Sequence, residues 1–202
     1  MTEVDAVAAA VRAGQPVVLP FDTVYGLAAD ASSAESTRRL YEVKGRAEAQ
    51  PTALVARDLD HLLELIPELR ASVSSFACLL PGPVTLVVSN PARRFPWLAG
   101  ANPDAIGIRV PRLDGATAAV LELLGAVAAT SANHPGGQDP VRLDDVPRDI
   151  RDAAGAEIDA GELPGSPSTV LDLTGAEPRV LREGALPAAE VLRRLGAAVR
   201  SG

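Results

Sequence analysis

Residues 17–30 read VVLPFDTVYGLAAD, an apolar run that meets Pro20, turns through Asp22 and Thr23, and resumes as a second apolar run. This pattern predicts a strand that ends in a polar corner and a further strand beyond that corner. Polar groups at strand ends of α/β proteins often meet small ligands, because the sheet fixes the backbone while the polar groups still face solvent. The alternative is an ordinary β-hairpin turn in which Asp22 serves only as a cap.

Helices and strands alternate along the rest of the chain. The pattern predicts helices over residues 2–13, 33–43, 59–66, 68–80, 116–124, 147–153 and 187–199. It predicts strands over residues 17–19, 24–28, 52–56, 84–88, 105–110, 127–129, 157–159, 169–173 and 179–181. This alternation is typical of an α/β fold, and we expect an open, twisted, mixed sheet with flanking helices in a single domain over residues 1–202.

Composition limits the classes of protein that the chain can be. It has 202 residues, of which 47% are apolar, and its net charge is −7. That negative charge argues against a broad nucleic-acid footprint, which needs a clustered excess of Lys and Arg. No apolar run reaches the roughly 18 residues of a membrane span, and the N-terminus carries Glu3 and Asp5 rather than basic residues. We therefore expect a cytoplasmic protein.

The chain has few residues that could bind a metal or act as a nucleophile. Cys78 is the only cysteine, and its apolar neighbours predict that it lies in the core. His61 and His134 stand far apart without a partner at metal-ligand spacing, which argues against a zinc site. The sequence also lacks the signatures of P-loop, dinucleotide, zinc-protease and α/β-hydrolase sites.

The basic residues are strongly biased, since eighteen are Arg and one, Lys44, is Lys. An ammonium is a compact point charge whereas a guanidinium is a planar fork, so the two are not interchangeable at an anion. Lys44 and Arg46 follow the helix predicted over residues 33–43, and the loop there would deliver both to one place. The alternative is a solvated lysine at an exposed helix end. In either case we expect the Lys44 side chain to bury little surface.

Further cations and hydroxyls lie at predicted strand ends. The whole set comprises Lys44, Arg46, Arg109 and Arg182 with Thr23, Thr130, Ser131, Asn133 and Ser168. Cations beside neutral donors, without paired carboxylates, indicate a site for an anionic ligand. Phosphoryl or nucleotidyl transfer needs little more, because its catalysis rests on positioning and charge stabilisation. Taken singly, each residue is more simply explained as a surface ion pair or a turn cap.

Seven short motifs occur in an order that resembles the YrdC/Sua5 family, the L-threonylcarbamoyladenylate synthases. In this chain they read Pro20-x-Asp22-Thr23-Val24-Tyr25-Gly26-Leu27, Lys44-x-Arg46, Pro81-Gly82-Pro83-x-Thr85, Arg109-x-Pro111, Ser131-x-Asn133, Ser168-Thr169-Val170 and Arg182-x-Gly184. The resemblance covers residues 5–195 and is to the short, single-domain form of the family. It implies a concave groove, lined by positive charge, on an open α/β sheet.

The resemblance also implies an activity. L-threonine and bicarbonate would form a carbamate, whose carboxylate attacks the α-phosphate of ATP to give threonylcarbamoyl-AMP and pyrophosphate. Other proteins, the downstream threonylcarbamoyl transferases, would use this product to make threonylcarbamoyladenosine at position 37 of tRNAs. Mg²⁺ would enter with the ATP phosphates rather than through a protein carboxylate cage.

By the same resemblance, the motif residues divide into two groups. Those expected around L-threonine are Thr23, Arg109, Ala129 and Ser168, with Arg109 facing the carboxylate. Those expected around ATP are Lys44, Arg46, Gln50, Ser131, Asn133, Asp139 and Arg182. Within the second group, the residues expected to act in catalysis are Lys44, Arg46, Ser131 and Asn133.

Three positions depart from the family pattern. Phe21 stands where the family usually has Thr, Ala47 where Pro is common, and Gln50 where Asn is frequent. Phe21 would change the fine shape of the first corner, and Ala47 would allow a looser loop. None of the three removes a charged group from the implied site.

Two other functions remain open at this point. The same groove, with its shape and charge, could take double-stranded RNA or tRNA, or make a weak tRNA contact, although the net charge of −7 weakens this interpretation. The chain could also be a relative that keeps the fold without the synthase reaction. Retention of both the Lys44-x-Arg46 and the Ser131-x-Asn133 pairs argues against that second alternative.

Overall fold

The computed structural model describes residues 2–201, with side chains described through residue 197. Within this range the helices are α1 (Glu3–Arg12), α2 (Ala34–Lys44), α3 (Leu59–Leu65), α4 (Gly115–Leu124), α5 (Arg148–Ala153) and α6 (Ala188–Ser201). The strands are β1 (Val17–Pro20), β2 (Tyr25–Asp30), β3 (Ala53–Ala56), β4 (Val84–Ser89), β5 (Ala105–Arg109), β6 (Ala126–Ser131), β7 (Ala156–Glu157), β8 (Thr169–Asp172) and β9 (Arg179–Arg182). Over these described residues, no helix is both long enough and apolar enough to cross a membrane.

These strands form one mixed sheet in the order β7-β1-β2-β6-β3-β5-β4-β8-β9. Three neighbouring pairs are parallel, namely β1 with β7, β3 with β5, and β4 with β8, and the other pairs are antiparallel. The expectation of an open, mixed α/β sheet with flanking helices is therefore confirmed.

The strand registers place the polar corners in two sets, at opposite ends of the strands. The end of β1 pairs with the start of β2, and the start of β2 pairs with the end of β6, where Gly26 lies opposite Ser131. The end of β6 meets the start of β3, and β3 lies beside the end of β5, where Val55 is level with Arg109. The starts of β4 and β8 and the end of β9 lie level with the end of β5, at the opposite end of the strands from the β1–β2 corner. Alternate residues of the central strands, such as Ala53 with Val55 and Thr85 with Val87, line one cavity, so this cavity lies across one face of the sheet and joins the two sets of corners.

Two helix layers cover the sheet unequally. Along β2, Leu27 and Ala29 pack with residues of α2 and α5, whereas Ala28 packs on the opposite face with residues of α1 and α4. Along β4, buried residues alternate with the half-buried Thr85 and Val87, as expected for a strand with one covered face. Those two half-buried side chains line a cavity on the sheet.

The helix boundaries follow from local sequence. Thr2 caps α1, and its side chain and that of Asp5 bond reciprocally to each other's backbone N–H groups, which completes a capping box. Helix α2 ends at Gly45, which adopts a left-handed conformation with φ of +65° that only glycine takes without strain. This stop sets the direction in which the chain leaves α2 toward Arg46.

One predicted helix is wrong. Residues 68–80 form three short 3₁₀ turns, Pro67–Ala71, Val73–Ser75 and Ala77–Leu79, instead of a continuous helix. The serines and the β-branched valine in the middle of this segment favour turns over helix. Phe76 and Leu79 are buried at the three-residue spacing of such turns, and Cys78 is exposed, so its expected place in the core is wrong as well.

Candidate functional site

A cavity of about 380 Å³ opens on one face of the sheet, between the two sets of polar corners. Its floor is apolar and includes Val55 of β3 and Val87 of β4. Among the residues that the structure describes, the charged side chains lining it are three arginines, Arg46, Arg109 and Arg182. A concave, largely apolar site with a few convergent polar groups is the usual form of a small-molecule site.

Arg109, at the end of β5, is held by the hairpin corner between β1 and β2. Its Nη2 atom donates hydrogen bonds to Asp22 Oδ1 and, over 2.9 Å, to Thr23 Oγ1. The other carboxylate oxygen of Asp22 accepts a 2.9 Å hydrogen bond from the backbone N–H of Arg112. Asp22 therefore does more than cap a turn, because it forms an ion pair with a cation 87 positions away along the chain.

Burial decides the electrostatics of this ion pair. The side chains of Arg109 and Asp22 each keep only 11% of their exposure. Loss of solvent lowers the pKa of Arg109, and the charge and hydrogen bond of Asp22 oppose that shift. Among the described residues, the buried Nε atom of Arg109 has no hydrogen-bond partner. Because Arg109 also lines the cavity, its guanidinium is a candidate partner for a ligand carboxylate.

Phe21 supports Arg109 from one side. The guanidinium carbon lies 5.7 Å from the centroid of the Phe21 ring, within range of a cation–π interaction. The ring also fills the space above Gly26, where a Cβ atom would come within 2.6 Å of Phe21 Cε2. The departure at position 21 thus replaces a small polar residue with a buried aromatic platform.

The opposite wall of the cavity is built on the start of β8. Ser168 Oγ lies 2.8 Å from Thr85 Oγ1, and Arg182 Nη2 donates to both the hydroxyl and the carbonyl oxygen of Ser168, at 3.2 and 2.8 Å. A Cβ atom on Gly184 would come within 2.2 Å of the carbonyl oxygen of Pro167. The chain after β9 can therefore approach this wall closely only because residue 184 is glycine.

Arg46 lies at the third wall, beyond the end of α2. Its Nη1 atom donates to Thr130 Oγ1 over 3.0 Å, its Nε atom to Gln50 Oε1 over 2.9 Å, and its Nη2 atom to the carbonyl oxygen of Pro51 over 2.7 Å. Burial lowers the pKa of this guanidinium. The 46–51 loop is therefore tied to the cavity through its own arginine.

Lys44 does not lie at an exposed helix end, and the expectation that it buries little surface is wrong. Only 5% of the residue is exposed, because the corner formed by Ser131–Asn133 folds over the last turn of α2. Burial and the nearby charge of Arg46 lower the pKa of Lys44 from 10.5 to about 8, and Asp139 opposes the shift.

The predicted site residues fall into three positions relative to the cavity. Those that line it are Thr23, Arg46, Arg109, Ala129, Ser131, Ser168 and Arg182. Lys44 and Asn133 are buried beside it, behind the Ser131 corner. Gln50 bonds to Arg46, and Asp139 acts electrostatically on Lys44. The two predicted groups thus lie around one cavity or directly behind its lining, and their roles toward a ligand stay predictions.

Sequence reasoning missed three residues of this site. From the sequence, Asp22 is either part of a polar strand-end corner or only a turn cap, Phe21 is only a change of shape, and Thr85 belongs to a motif without a stated role. A signal existed only for Asp22, because an acidic residue beside predicted ligand-binding hydroxyls is a candidate counter-ion for a strand-end arginine.

Metal binding by protein side chains finds no support in the described part of the chain. Over that part, no group of three or more His, Cys, Asp and Glu side chains is placed to hold an ion.

The fold and the site together define a class, an open-sheet α/β protein whose strand-end cavity is lined by arginines and hydroxyls and suits an anionic small molecule. The chain belongs to the Sua5/YciO/YrdC family, described as telomere recombination, whose sequence profile matches residues 9–184.

Relatives of known sequence and structure agree with this family. A protein of Mycobacterium tuberculosis is 33% identical over 192 residues, covering 93% of this chain and 86% of its own. Human threonylcarbamoyl-AMP synthase is 34% identical over 180 residues, covering 84% of this chain and 62% of its own. The structure of Pyrococcus abyssi Sua5 complexed with L-threonine superposes with a TM-score of 0.83 at 31% identity, covering 97% of this chain and 58% of that one. The chain thus spans most of the mycobacterial relative and somewhat more than half of the P. abyssi protein.

Proposed function

We propose that this protein is an L-threonylcarbamoyladenylate synthase, a nucleotidyltransferase that uses L-threonine, bicarbonate and ATP. The observation that carries the proposal is the convergence of the family motifs on one cavity, with a buried, partly unpaired arginine at one end and further arginines around the rest. The named relatives support the same activity, since human and P. abyssi proteins similar to this chain are threonylcarbamoyl-AMP synthases.

The threonine end of the cavity is the corner around Arg109. The free donors of Arg109 suit the carboxylate of an amino acid, and the hydroxyls of Thr23 and Ser168 suit its small polar side chain. Ala129 contributes a small, 8% exposed residue between them, which leaves room for the amino acid. The P. abyssi structure with bound L-threonine supports this choice of substrate.

The ATP end lies toward Arg46, Ser131 and Arg182, with Lys44, Asn133, Gln50 and Asp139 around it. The amine of threonine and bicarbonate combine to a carbamate with loss of water. A carbamate oxygen then attacks the α-phosphorus of ATP, and the bond from that phosphorus to the pyrophosphate oxygen breaks. Arginines fixed by their own hydrogen bonds stabilise the charge that gathers on the departing pyrophosphate, without needing to reorganise.

Mg²⁺ belongs to this proposal as part of the ATP substrate. The described side chains offer no carboxylate cluster, so the ion would be held by phosphate oxygens. Metal-free protein titrated with Mg²⁺ alone should bind it weakly, and the ion should matter only once ATP is present.

The cellular role that we propose follows from the product. Threonylcarbamoyl-AMP is a reactive mixed anhydride, and other proteins would transfer its threonylcarbamoyl group to adenosine 37 of tRNAs. We place this work in the cytoplasm, as expected from the sequence. Direct tRNA binding is the weaker candidate, because the net charge of −7 opposes it.

Pyrophosphate release tests the proposal directly. With ATP and Mg²⁺ present, release should require both L-threonine and bicarbonate, and mass spectrometry should find threonylcarbamoyl-AMP in matching amount. L-valine is the matched control substrate, because it has threonine's shape without the hydroxyl, and it should react at least about 10-fold more slowly. Release that ignores threonine, or equal rates with valine, would overturn the assignment, and a tRNA gel shift at moderate salt would then test the weaker candidate.

A further inference from the structure

The three protons of the Lys44 ammonium are all used within the protein. Nζ donates to the carbonyl oxygen of Ser131 over 2.6 Å, to the carbonyl oxygen of Asn133 over 2.6 Å, and to Asn133 Oδ1 over 2.9 Å. An ammonium has three donors and no acceptor, so this set of neutral oxygens satisfies it completely. In this geometry Lys44 has no donor left to offer a phosphate.

The same contacts extend from Lys44 into the loop that follows β6. Asn133 Oδ1 also accepts a 2.6 Å hydrogen bond from Ser131 Oγ, and Asn133 Nδ2 donates over 2.7 Å to the carbonyl oxygen of Gly137. His134 adds a second link, because its Nδ1 atom lies 3.2 Å from the carbonyl oxygen of Lys44. The ammonium and the backbone carbonyl of Lys44 together therefore hold the corner at residues 131–133 and the first half of the 134–140 loop.

The side chains that do face the cavity are different ones. Arg46, Ser131 and Arg182 line it, whereas Lys44 lies behind Ser131 and is only 5% exposed. A phosphate could reach Nζ only if hydrogen bonds to the corner were broken first. Those bonds are charge-assisted and buried, which makes them among the stronger ones in a protein.

Resting on the proposed function, we infer that Lys44 is a positioning residue, which acts through the Ser131–Asn133 corner and the 134–137 segment instead of as a direct ligand of the ATP phosphates. Its ammonium fixes the direction of the Ser131 hydroxyl through Asn133 and holds the loop beside the phosphate end. Its charge still favours anions nearby, because the partners that satisfy it are neutral.

Hydrogen exchange of the ligand-free protein tests this role without any reaction. In Lys44→Met, amides of residues 131–137 should exchange about 10-fold faster or more than in the wild type, because their anchor is gone. The matched control is Arg46→Met, whose contacts run to Thr130, Gln50 and Pro51, so the exchange of 133–137 should stay unchanged. Unchanged exchange at 131–137 in a folded Lys44→Met variant would overturn the inference and return Lys44 to the role of phosphate ligand.

A second variant protects the test against a Lys44 variant that does not fold. Asn133→Ala keeps the ammonium but removes the link to Gly137, so exchange should rise at 134–137, and adding Lys44→Met should raise it by less than the product of the single effects. If the increases in exchange rate from the two substitutions multiply in full, Lys44 and Asn133 do not act through one shared hydrogen-bond network. The exchange readout needs no ATP or threonine, so failure of the synthase assay in wild-type protein would overturn the proposed function and leave this result to be judged separately.

Discussion

Two buried cations lie at or beside the same cavity and are stabilised in opposite ways. Arg109 faces a carboxylate, Asp22, and its buried Nε atom has no hydrogen-bond partner among the described residues. Lys44 faces three neutral oxygens and has no donor left. The difference teaches that burial and charge do not identify a ligand contact on their own, because what matters is which donors remain unused after the protein has satisfied its own groups.

The comparison also separates the two cations in how they respond to pH. A guanidinium stays charged at any pH that a protein tolerates, whereas the Lys44 ammonium, with its pKa at about 8, loses its proton within reach of ordinary buffers. The Arg109 corner is therefore a permanent charge pair, and the Lys44 corner is a titratable one. Each of the predictions below tests one side of that contrast.

The largest effect is expected for removal of Asp22. Asp22→Ala leaves the Arg109 guanidinium buried without its counter-ion, which should lower the free energy of unfolding by about 3 kcal/mol. Urea denaturation measures this loss, and Asp22→Asn is the matched control that keeps the shape and the bond from Arg112. In the double variant Asp22→Ala/Arg109→Met the cost should fall well below the sum of the single costs. A cost under about 0.5 kcal/mol would mean that the pair behaves like a screened surface ion pair.

The second effect concerns the aromatic platform under Arg109. In Gly26→Ala the new Cβ would lie 2.6 Å from Phe21 Cε2 and 3.1 Å from the carbonyl oxygen of Thr130, so the ring must move. We expect a loss of about 2 kcal/mol of unfolding free energy from overpacking. Combining it with Phe21→Ala should restore part of that loss, since the ring is then absent. A Gly26→Ala protein as stable as the wild type would show that Phe21 is not packed against this strand.

The third effect is a pH dependence carried by Lys44. Its pKa is about 8 in the folded protein and about 10.5 when unfolded, so between these values the unfolded chain binds more protons. Stability should therefore rise with pH in this window, by up to about 1 kcal/mol per pH unit, relative to a Lys44→Met variant that lacks the group. Urea denaturation of both proteins at pH 7.5, 8.5 and 9.5 measures the difference. A difference that stays flat, or falls, would show that Lys44 keeps its ordinary pKa.

How much of this site the sequence alone could predict depends on how far apart in the chain the interacting residues lie. The strands that carry the cavity were predictable, because apolar runs, Pro20 and the glycine stop after α2 are local signals. The resemblance in motif order then predicted which residues lie around or beside the cavity. The helix predicted over residues 68–80 is wrong for a local reason. Three-residue turns and an α-helix bury similar residues over such a short segment.

The burial and the hydrogen-bond partners of each cation could not be predicted in the same way. Lys44 is buried by a corner that lies 87 to 89 positions later in the chain, and the Arg109 partner lies 87 positions earlier. No local pattern around Lys44 distinguishes a lysine at an exposed helix end from one that a distant corner covers. Whether the hydrogen-bond donors of a side chain already have partners is decided only in the folded protein. That in turn decides which predicted site residues remain free to meet a ligand.

The smallest effect tests whether the Phe21 ring tunes Arg109 beyond simple packing. Phe21→Leu keeps an apolar side chain over Gly26 but removes the π-face that lies 5.7 Å from the guanidinium carbon. A cation–π contact of this kind contributes about 0.5–1 kcal/mol, so the KM for L-threonine should rise by about 2- to 5-fold while the KM for ATP stays unchanged. Phe21→Tyr keeps the aromatic face and should preserve the wild-type KM for threonine. In the proposed function the ATP end lies toward Arg46, Ser131 and Arg182. An equal rise in both KM values would therefore mean that Phe21 shapes the whole cavity and not the Arg109 corner alone.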